Sequence, residues 1–193
     1  MNLSVIGTGY VGLVTGTCFA EMGHQVICVD IDKNKVEKLR SGKITIYEPG
    51  LENLFERNTQ KQRITFTTDL HSAVEHSEIL FLALPTPPGA DGSADLSFIL
   101  NAAEQLSHLI KKYTIVVNKS TVPVGSADAV SRVLAKNLDS SLFDVVSNPE
   151  FLREGVAVED FMKPDRVVIG SRSEKAIHKM KHLYLFPLKN KMG

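Results

Sequence analysis

The sequence predicts an α/β fold, a doubly wound and mainly parallel sheet with helices on both faces. Three observations carry that prediction. Short β-branched runs alternate with helical patterns from one end of the chain to the other. Several of those runs are apolar on consecutive residues, as strands buried on both faces of a parallel sheet should be. A glycine-rich turn joins the first run to the first helical pattern, with Gly7, Gly9 and Gly12 in Gly-x-Gly-x-x-Gly spacing.

In chain order the candidate strands are 3–6, 25–29, 64–67, 79–84, 114–118, 145–147 and 166–169. After the first of these, Val11, Val14, Thr15, Cys18, Phe19 and Met22 fall at helical spacing, which predicts an amphipathic helix stopped by Gly23. Near the other end, Ser173 is placed to cap a helix whose Ile177, Met180, Lys181 and Tyr184 positions include one apolar stripe. The loop-rich stretch 85–93 directly follows a predicted buried strand, where open α/β sheets place ligand-binding loops. No internal repeat or low-complexity linker divides the chain. A single domain over residues 1–187 is expected, with 188–193 a tail or the truncated start of a connection to a C-terminal part.

Composition narrows the function classes. The chain has 193 residues, of which 43% are hydrophobic and 23% charged, as in ordinary soluble domains. Lys plus Arg and Asp plus Glu are both 22, so there is no global attraction to nucleic acid or to an acidic membrane surface. Any phosphate must be held locally. Residues 1–6 lack a basic leader, and no apolar run approaches the roughly 18–20 residues that span a bilayer. Two cysteines make no disulfide framework, and neither has metal-ligand spacing. A cytoplasmic protein is expected, with no metal, no nucleic acid and no membrane partner.

The turn Gly7-Thr-Gly-Tyr-Val-Gly12 follows a strand and opens a helix, the setting that a dinucleotide fingerprint requires. Gly7 permits the tight turn, Gly9 lets backbone approach a pyrophosphate, and Gly12 lets helix and strand pack closely. The helix N-terminus at Tyr10 and Val11 offers free N–H donors and partial positive charge. Asp30 ends the second predicted strand 18 residues after Gly12, where a carboxylate can bind ribose hydroxyls. That carboxylate should repel a 2′-phosphate, which favours NAD over NADP, although Lys33 and Lys35 lie close by. The pattern is that of a Rossmann-like cofactor unit. The competing readings are a glycine turn without a ligand and an Asp30 that merely caps the next helix.

Five further segments occur in order: Tyr47-Glu-Pro-Gly-Leu51, Leu84-Pro-Thr-Pro87, Lys119-Ser-Thr-Val-Pro-Val-Gly125, Asn148-Pro-Glu-Phe-Leu-Arg-Glu-Gly155 and Pro164-Asp-Arg-Val-Val-Ile-Gly170. With them the chain resembles, over nearly all of 1–187, the nucleotide-sugar dehydrogenases that oxidise a sugar C6 alcohol to a carboxylate. Within that family the pattern is most similar to the UDP-glucose 6-dehydrogenases. Phe151-Leu152-Arg153 departs from the UDP-N-acetylmannosamine enzymes, and the segment from Phe161 to Arg166 looks less like the GDP-mannose dehydrogenases.

The resemblance implies that Val11, Asp30, Lys35, Thr86 and Thr121 line an NAD site, with Glu154 near the nicotinamide. It makes residues Glu150, Phe151, Leu152, Arg153 and Glu154 a substrate loop, and Thr121 and Glu150 the candidate catalytic residues. Thr86 and Thr121 follow the fourth and fifth predicted strands, at the edge where a cofactor lies. A carboxylate at Glu150 suits a general base or a water-holding group, against the plainer reading of a surface turn. Arg153 is open between a phosphate, Glu150 and Glu154. Lys119, at a strand end, is open between a place near substrate and simple solvation, the commoner fate of such a lysine. Arg166 is expected to begin a strand, with an ion pair to Asp160 or Asp165 as apt as any site role. His71, His76, His108, His178 and His182 fall on predicted helices as surface residues.

The implied family reaction reduces two NAD per sugar and passes through a thioester on a cysteine thiol. That thiol lies in a Gly-Gly-x-Cys-like segment of a C-terminal part, which does not occur here. Cys18, on the inward stripe of the first helix, and Cys28, in a buried strand, are expected to be inert buried hydrophobes. The chain is therefore expected to be a part of a longer enzyme, sharing UDP-glucose with that absent part and inactive alone. A face normally covered by the absent part should favour self-association, giving a possible homo-oligomer. A non-catalytic NAD- or nucleotide-sensing module is the reading from another class, and the retained 150–154 segment argues against it.

Overall fold

Apolar residues on the central strands serve two cores at once. Leu3 and Val5 on the first strand join one core, while Ile6 joins the other. Ile79 and Phe81 alternate with Leu80 and Leu82 in the same way, as do Ile115 and Val117 with Val116. The computed structural model describes residues 1–89 and 93–185. Its strands are β1 (Asn2–Ile6), β2 (Gln25–Val29), β3 (Ile64–Thr67), β4 (Ile79–Leu82), β5 (Thr114–Asn118) and β6 (Phe143–Ser147). All pair in parallel, in the order β3-β2-β1-β4-β5-β6. The order reverses between β1 and β4, the switch point at which open α/β sheets form their ligand crevice.

Helices α1 (Tyr10–Glu21), α2 (Lys33–Arg40), α3 (Leu51–Gln60), α7 (Ala157–Met162) and α8 (Glu174–Leu183) feed the first core. On the opposite face lie α4 (Leu70–His76), α5 (Ser97–Leu109) and α6 (Ser126–Leu134). The doubly wound sheet predicted from the sequence is therefore the observed one. Ser173 caps α8 as expected, its hydroxyl accepting from the Ala176 amide at 3.2 Å. Gly23, with φ of +94°, follows the end of α1. The segment 90–92 within the loop after β4, and the tail beyond 185, lie outside the described residues.

Three expectations need correction. Residues 166–169 are not a strand. Gly170 alone makes an antiparallel bridge to Ser147, and the Val168 carbonyl accepts from the Asn148 side chain at 2.7 Å instead of joining a ladder. β4 stops at Leu82, two residues short of the predicted end. Helix α1 is not amphipathic, for its residues from Gly12 to Ala20 are all buried. α3 and α7 cover the face that periodicity would leave to solvent. Phe19 there meets Phe81 and Phe161 with ring centroids 5.0 Å away in each case, and burial of such a ring contributes roughly 1.5–3 kcal/mol.

The start of α1 tolerates this enclosure because Gly12 has no side chain. An added Cβ there would stand 1.9 Å from the Gly7 carbonyl oxygen, whereas one at Gly9 would meet nothing within 4 Å. Gly12→Ala should therefore lower the unfolding free energy in urea by about 3 kcal/mol, at the upper end of overpacking penalties. Gly9→Ala should stay within about 0.5 kcal/mol of the parent. Equal losses at the two positions would contradict this packing.

Candidate cofactor and substrate site

The turn after β1 is tied to the end of β2 first through its backbone. The Gly7 amide donates to the Val29 carbonyl at 2.8 Å and thereby ties the turn to the end of β2. Gly7 has φ of +100°, and a Cβ there would lie 2.3 Å from the Ala83 carbonyl oxygen beyond β4. Gly9 is the N-cap of α1 and has no side-chain capping bond. The first turn of a twelve-residue helix thus offers amides over open space. Tyr10 and Val11, half-buried, flank it.

Asp30 leaves the end of β2 beside this turn. Its Oδ2 accepts from the Thr8 amide at 2.9 Å, the Thr8 hydroxyl at 2.6 Å and the Lys35 ammonium at 3.1 Å. Oδ1 accepts only from the Asp32 amide, at 3.1 Å, among the described residues. Burial works against the charged form, but these hydrogen bonds outweigh it and hold the carboxyl below its usual range. A carboxylate oxygen takes about two donors, so Oδ1 keeps capacity for a ribose hydroxyl. The helix cap at the next turn is Asp32, which accepts from the Lys35 amide, and not Asp30.

Beyond the switch point, Thr86 and Thr121 come together, the Thr86 hydroxyl donating to the Thr121 carbonyl at 3.1 Å. Ser120 braces both loops from below by donating to the Leu84 carbonyl at 2.7 Å. The 150–155 segment follows β6. Glu150 accepts from the Leu152 amide at 2.6 Å, and Glu154 is exposed. Glu150, Phe151, Leu152 and Arg153 line a cavity of about 350 Å³ together with Lys119 and Tyr184. Thr121 and the glycine turn do not line it, so the predicted residues fall into two adjoining groups.

Three side chains differ from expectation. Arg153 pairs with neither Glu150 nor Glu154. It forks onto Asp160, with Nη2 at 2.7 Å and Nε at 3.1 Å. Arg166 begins no strand, and its guanidinium lies over the Phe151 ring, 4.8 Å from the centroid. Lys119 is not solvated. It is 5% exposed, with Nζ 3.3 Å from Asn148 Oδ1 and beside the Phe161 and Tyr184 rings. Burial pushes its ammonium down to about 8, against the opposing pull of Glu150.

Glu48 was legible as part of a motif but not as a functional residue. Only 4% exposed, it accepts from the Tyr10 hydroxyl at 2.5 Å and from the amides of Gly155 and Ala157, each at 2.8 Å. Burial opposes its charge, but these donors prevail and keep its carboxyl below the usual range. Burial, then Glu48, then Glu154 raise the Tyr10 phenol. The two cysteines are buried. Burial raises the Cys18 thiol, with Glu21 and Glu48 adding to it, and pushes Cys28 up to about 12, so neither is a ready nucleophile.

A parallel sheet in this order, with an uncapped helix over an open glycine and a carboxylate at the end of β2, defines a dinucleotide-binding domain. The profile of the "UDP-glucose/GDP-mannose dehydrogenase family, NAD binding domain" matches residues 1–186, and the chain belongs to that family. It is 51% identical over 176 residues to UDP-glucose 6-dehydrogenase TuaD of Bacillus subtilis, covering 91% of this chain and 38% of that protein. It is 50% identical over 194 residues to UDP-glucose 6-dehydrogenase of Pseudomonas aeruginosa, covering 98% of this chain and 43% of the other. Among solved structures, a UDP-glucose dehydrogenase from Pyrobaculum islandicum superposes with TM-score 0.90 at 44% identity, over 94% of this chain and 43% of that one. A ternary complex of Pseudomonas aeruginosa GDP-mannose dehydrogenase gives 0.92 at 34% identity, over 95% and 44%. The chain spans about two fifths of these relatives. Among the described residues no helix is long and apolar enough to cross a membrane.

Lys119 supplies a test of the cavity. Between about pH 8 and the ordinary 10.5, the folded chain holds it neutral while the unfolded chain still binds the proton. Stability at this site must rise with pH across that window. The unfolding free energy of the parent minus that of Lys119→Met should increase from pH 8 to pH 10, by at most about 1.4 kcal/mol per pH unit. A flat difference in urea titrations would mean that the ammonium is not desolvated.

Proposed function

We propose that the chain is the cofactor-binding part of a UDP-glucose 6-dehydrogenase, which binds NAD in the crevice and presents residues 150–154 to UDP-glucose. The observation that carries the reading is the pairing of an open, uncapped α1 terminus with Asp30. The amides at the start of α1 hold the pyrophosphate. Asp30 accepts a ribose hydroxyl through Oδ1 and repels a 2′-phosphate. Lys35 holds Asp30 in place, and Thr86 and Thr121 border the far side of the crevice. Bound NAD supplies the hydride acceptor.

Within this reading, Glu150 is the base that holds or deprotonates the water releasing the carboxylate, and Glu154 stands near the nicotinamide. Phe151, Leu152 and Arg153 shape the wall toward the sugar nucleotide, with Arg153 fixed by Asp160. Going from alcohol to carboxylate removes two hydrides, and the family route holds the intermediate on a thiol. Neither Cys18 nor Cys28 can serve, because both are buried with raised thiols. That group must come from outside this chain. Exposed Tyr47, Val124 and Phe151 support association with further protein, a second copy included.

Calorimetric titration should show NAD binding in preference to NADP, with Asp30→Ala weakening NAD at least about tenfold, or about 1.4 kcal/mol. Preference for NADP would overturn the role of Asp30. The pure chain with UDP-glucose and NAD should give no sustained rise in NADH absorbance, and steady turnover would contradict the need for an external thiol.

A further inference from the structure

Glu48 touches both groups of site residues, although the proposed chemistry gives it no ligand to contact. Its Oε2 receives the Tyr10 hydroxyl and the Gly155 amide, and its Oε1 receives the Ala157 amide. Tyr10 is the first residue of α1, next to Gly9, so its backbone belongs to the turn that faces a pyrophosphate. Gly155, at φ of +90°, immediately follows Glu154 and closes the substrate segment. One carboxylate oxygen therefore joins residues 10 and 155 directly.

The strength of this joint follows from its surroundings. Hydrogen bonds to an ionised acceptor are about twice as strong as neutral ones. Here the acceptor is buried and its partners are a phenol and backbone amides. Removing it leaves the buried Ala157 amide without its acceptor, a loss the fold resists. α1 and α7 also meet through Phe19 and Phe161, an apolar contact that sets no fixed distance for the 150–155 backbone. The carboxylate does set one.

We propose that Glu48 is a positioning residue that couples the glycine turn to the 150–157 segment, so that a pyrophosphate seated on α1 orders the segment facing the sugar nucleotide. The inference rests on the NAD and substrate-segment assignments above. When the first turn of α1 is held by a ligand, Tyr10 is held with it. Its hydroxyl then fixes Glu48, and Glu48 fixes the amides of Gly155 and Ala157. The tie also runs backward, so a segment held by substrate steadies the cofactor turn.

Hydrogen–deuterium exchange on this chain tests the coupling, with and without NAD, at NAD occupancies matched by calorimetry. Tyr10→Phe is the informative variant, since it keeps the ring and removes only the hydroxyl. In the parent, NAD should slow exchange across residues 150–157 at least about threefold, or roughly 0.65 kcal/mol. In Tyr10→Phe and in Glu48→Gln that protection should fall by more than half, while NAD still protects the glycine turn. A merely structural role would speed exchange equally with and without NAD and leave the protection intact, which overturns the coupling. Binding of NAD without protection of 150–157 in the parent overturns it as well. Failure of the parent to bind NAD would refute the cofactor reading itself, and the calorimetry distinguishes that case.

Discussion

The placement of α1, and with it the crevice at the sheet edge, hangs on a close approach of backbone to backbone, where α1 begins against the end of β1. An added carbon at Gly12 would lie 1.9 Å from the Gly7 carbonyl oxygen, so only glycine allows the helix to start there. From that start the helix runs back beneath the sheet, and its residues from Gly12 to Ala20 are buried between strands and two covering helices. The same turn leaves its first amides at the C-terminal edge, over the space beside Gly9. The burial of α1 and the opening of its first amides are thus consequences of one steric fact.

Around that start, two carboxylates divide the work. Asp30 is tied to Thr8 and Lys35 by one oxygen and keeps the other lightly engaged. Glu48 has its Oε2 shared by two protein donors and its Oε1 on a buried amide. Only 4% exposed and with its donors inside the protein, that carboxylate serves to hold structure. Both remain ionised because hydrogen bonds offset the cost of burial.

What the sequence revealed was local or periodic. The glycine spacing, Asp30 at a strand end, and Thr86 and Thr121 after successive strands were legible because parallel strands deliver their C-terminal ends to one edge. What it hid depended on distant partners. Lys119 is buried by Phe161 and Tyr184, and nothing in its neighbourhood announces those rings. Arg153 had three apparent partners and took Asp160, which α7 brings within reach. Residues 166–169 read as a strand through the β-branched run Val167-Val168-Ile169, but the Val168 carbonyl goes to the Asn148 side chain instead of a ladder. Helix α1 reads as half-exposed because periodicity cannot show that α3 and α7 will cover it. Glu48 belongs to a motif visible in the sequence, yet its amide partner at Gly155 is 107 residues away.

One cofactor, on the function proposed above, lies across the C-terminal edge at the β1–β4 switch point, with its pyrophosphate on the start of α1. A crystal structure of the chain grown with NAD tests this most directly. Pyrophosphate oxygens should lie within hydrogen-bonding distance of the amides around Gly9 to Val11, with a ribose hydroxyl on Asp30 Oδ1. NAD bound elsewhere on the chain, or bound in the crevice with Asp30 making no ribose contact, would contradict it.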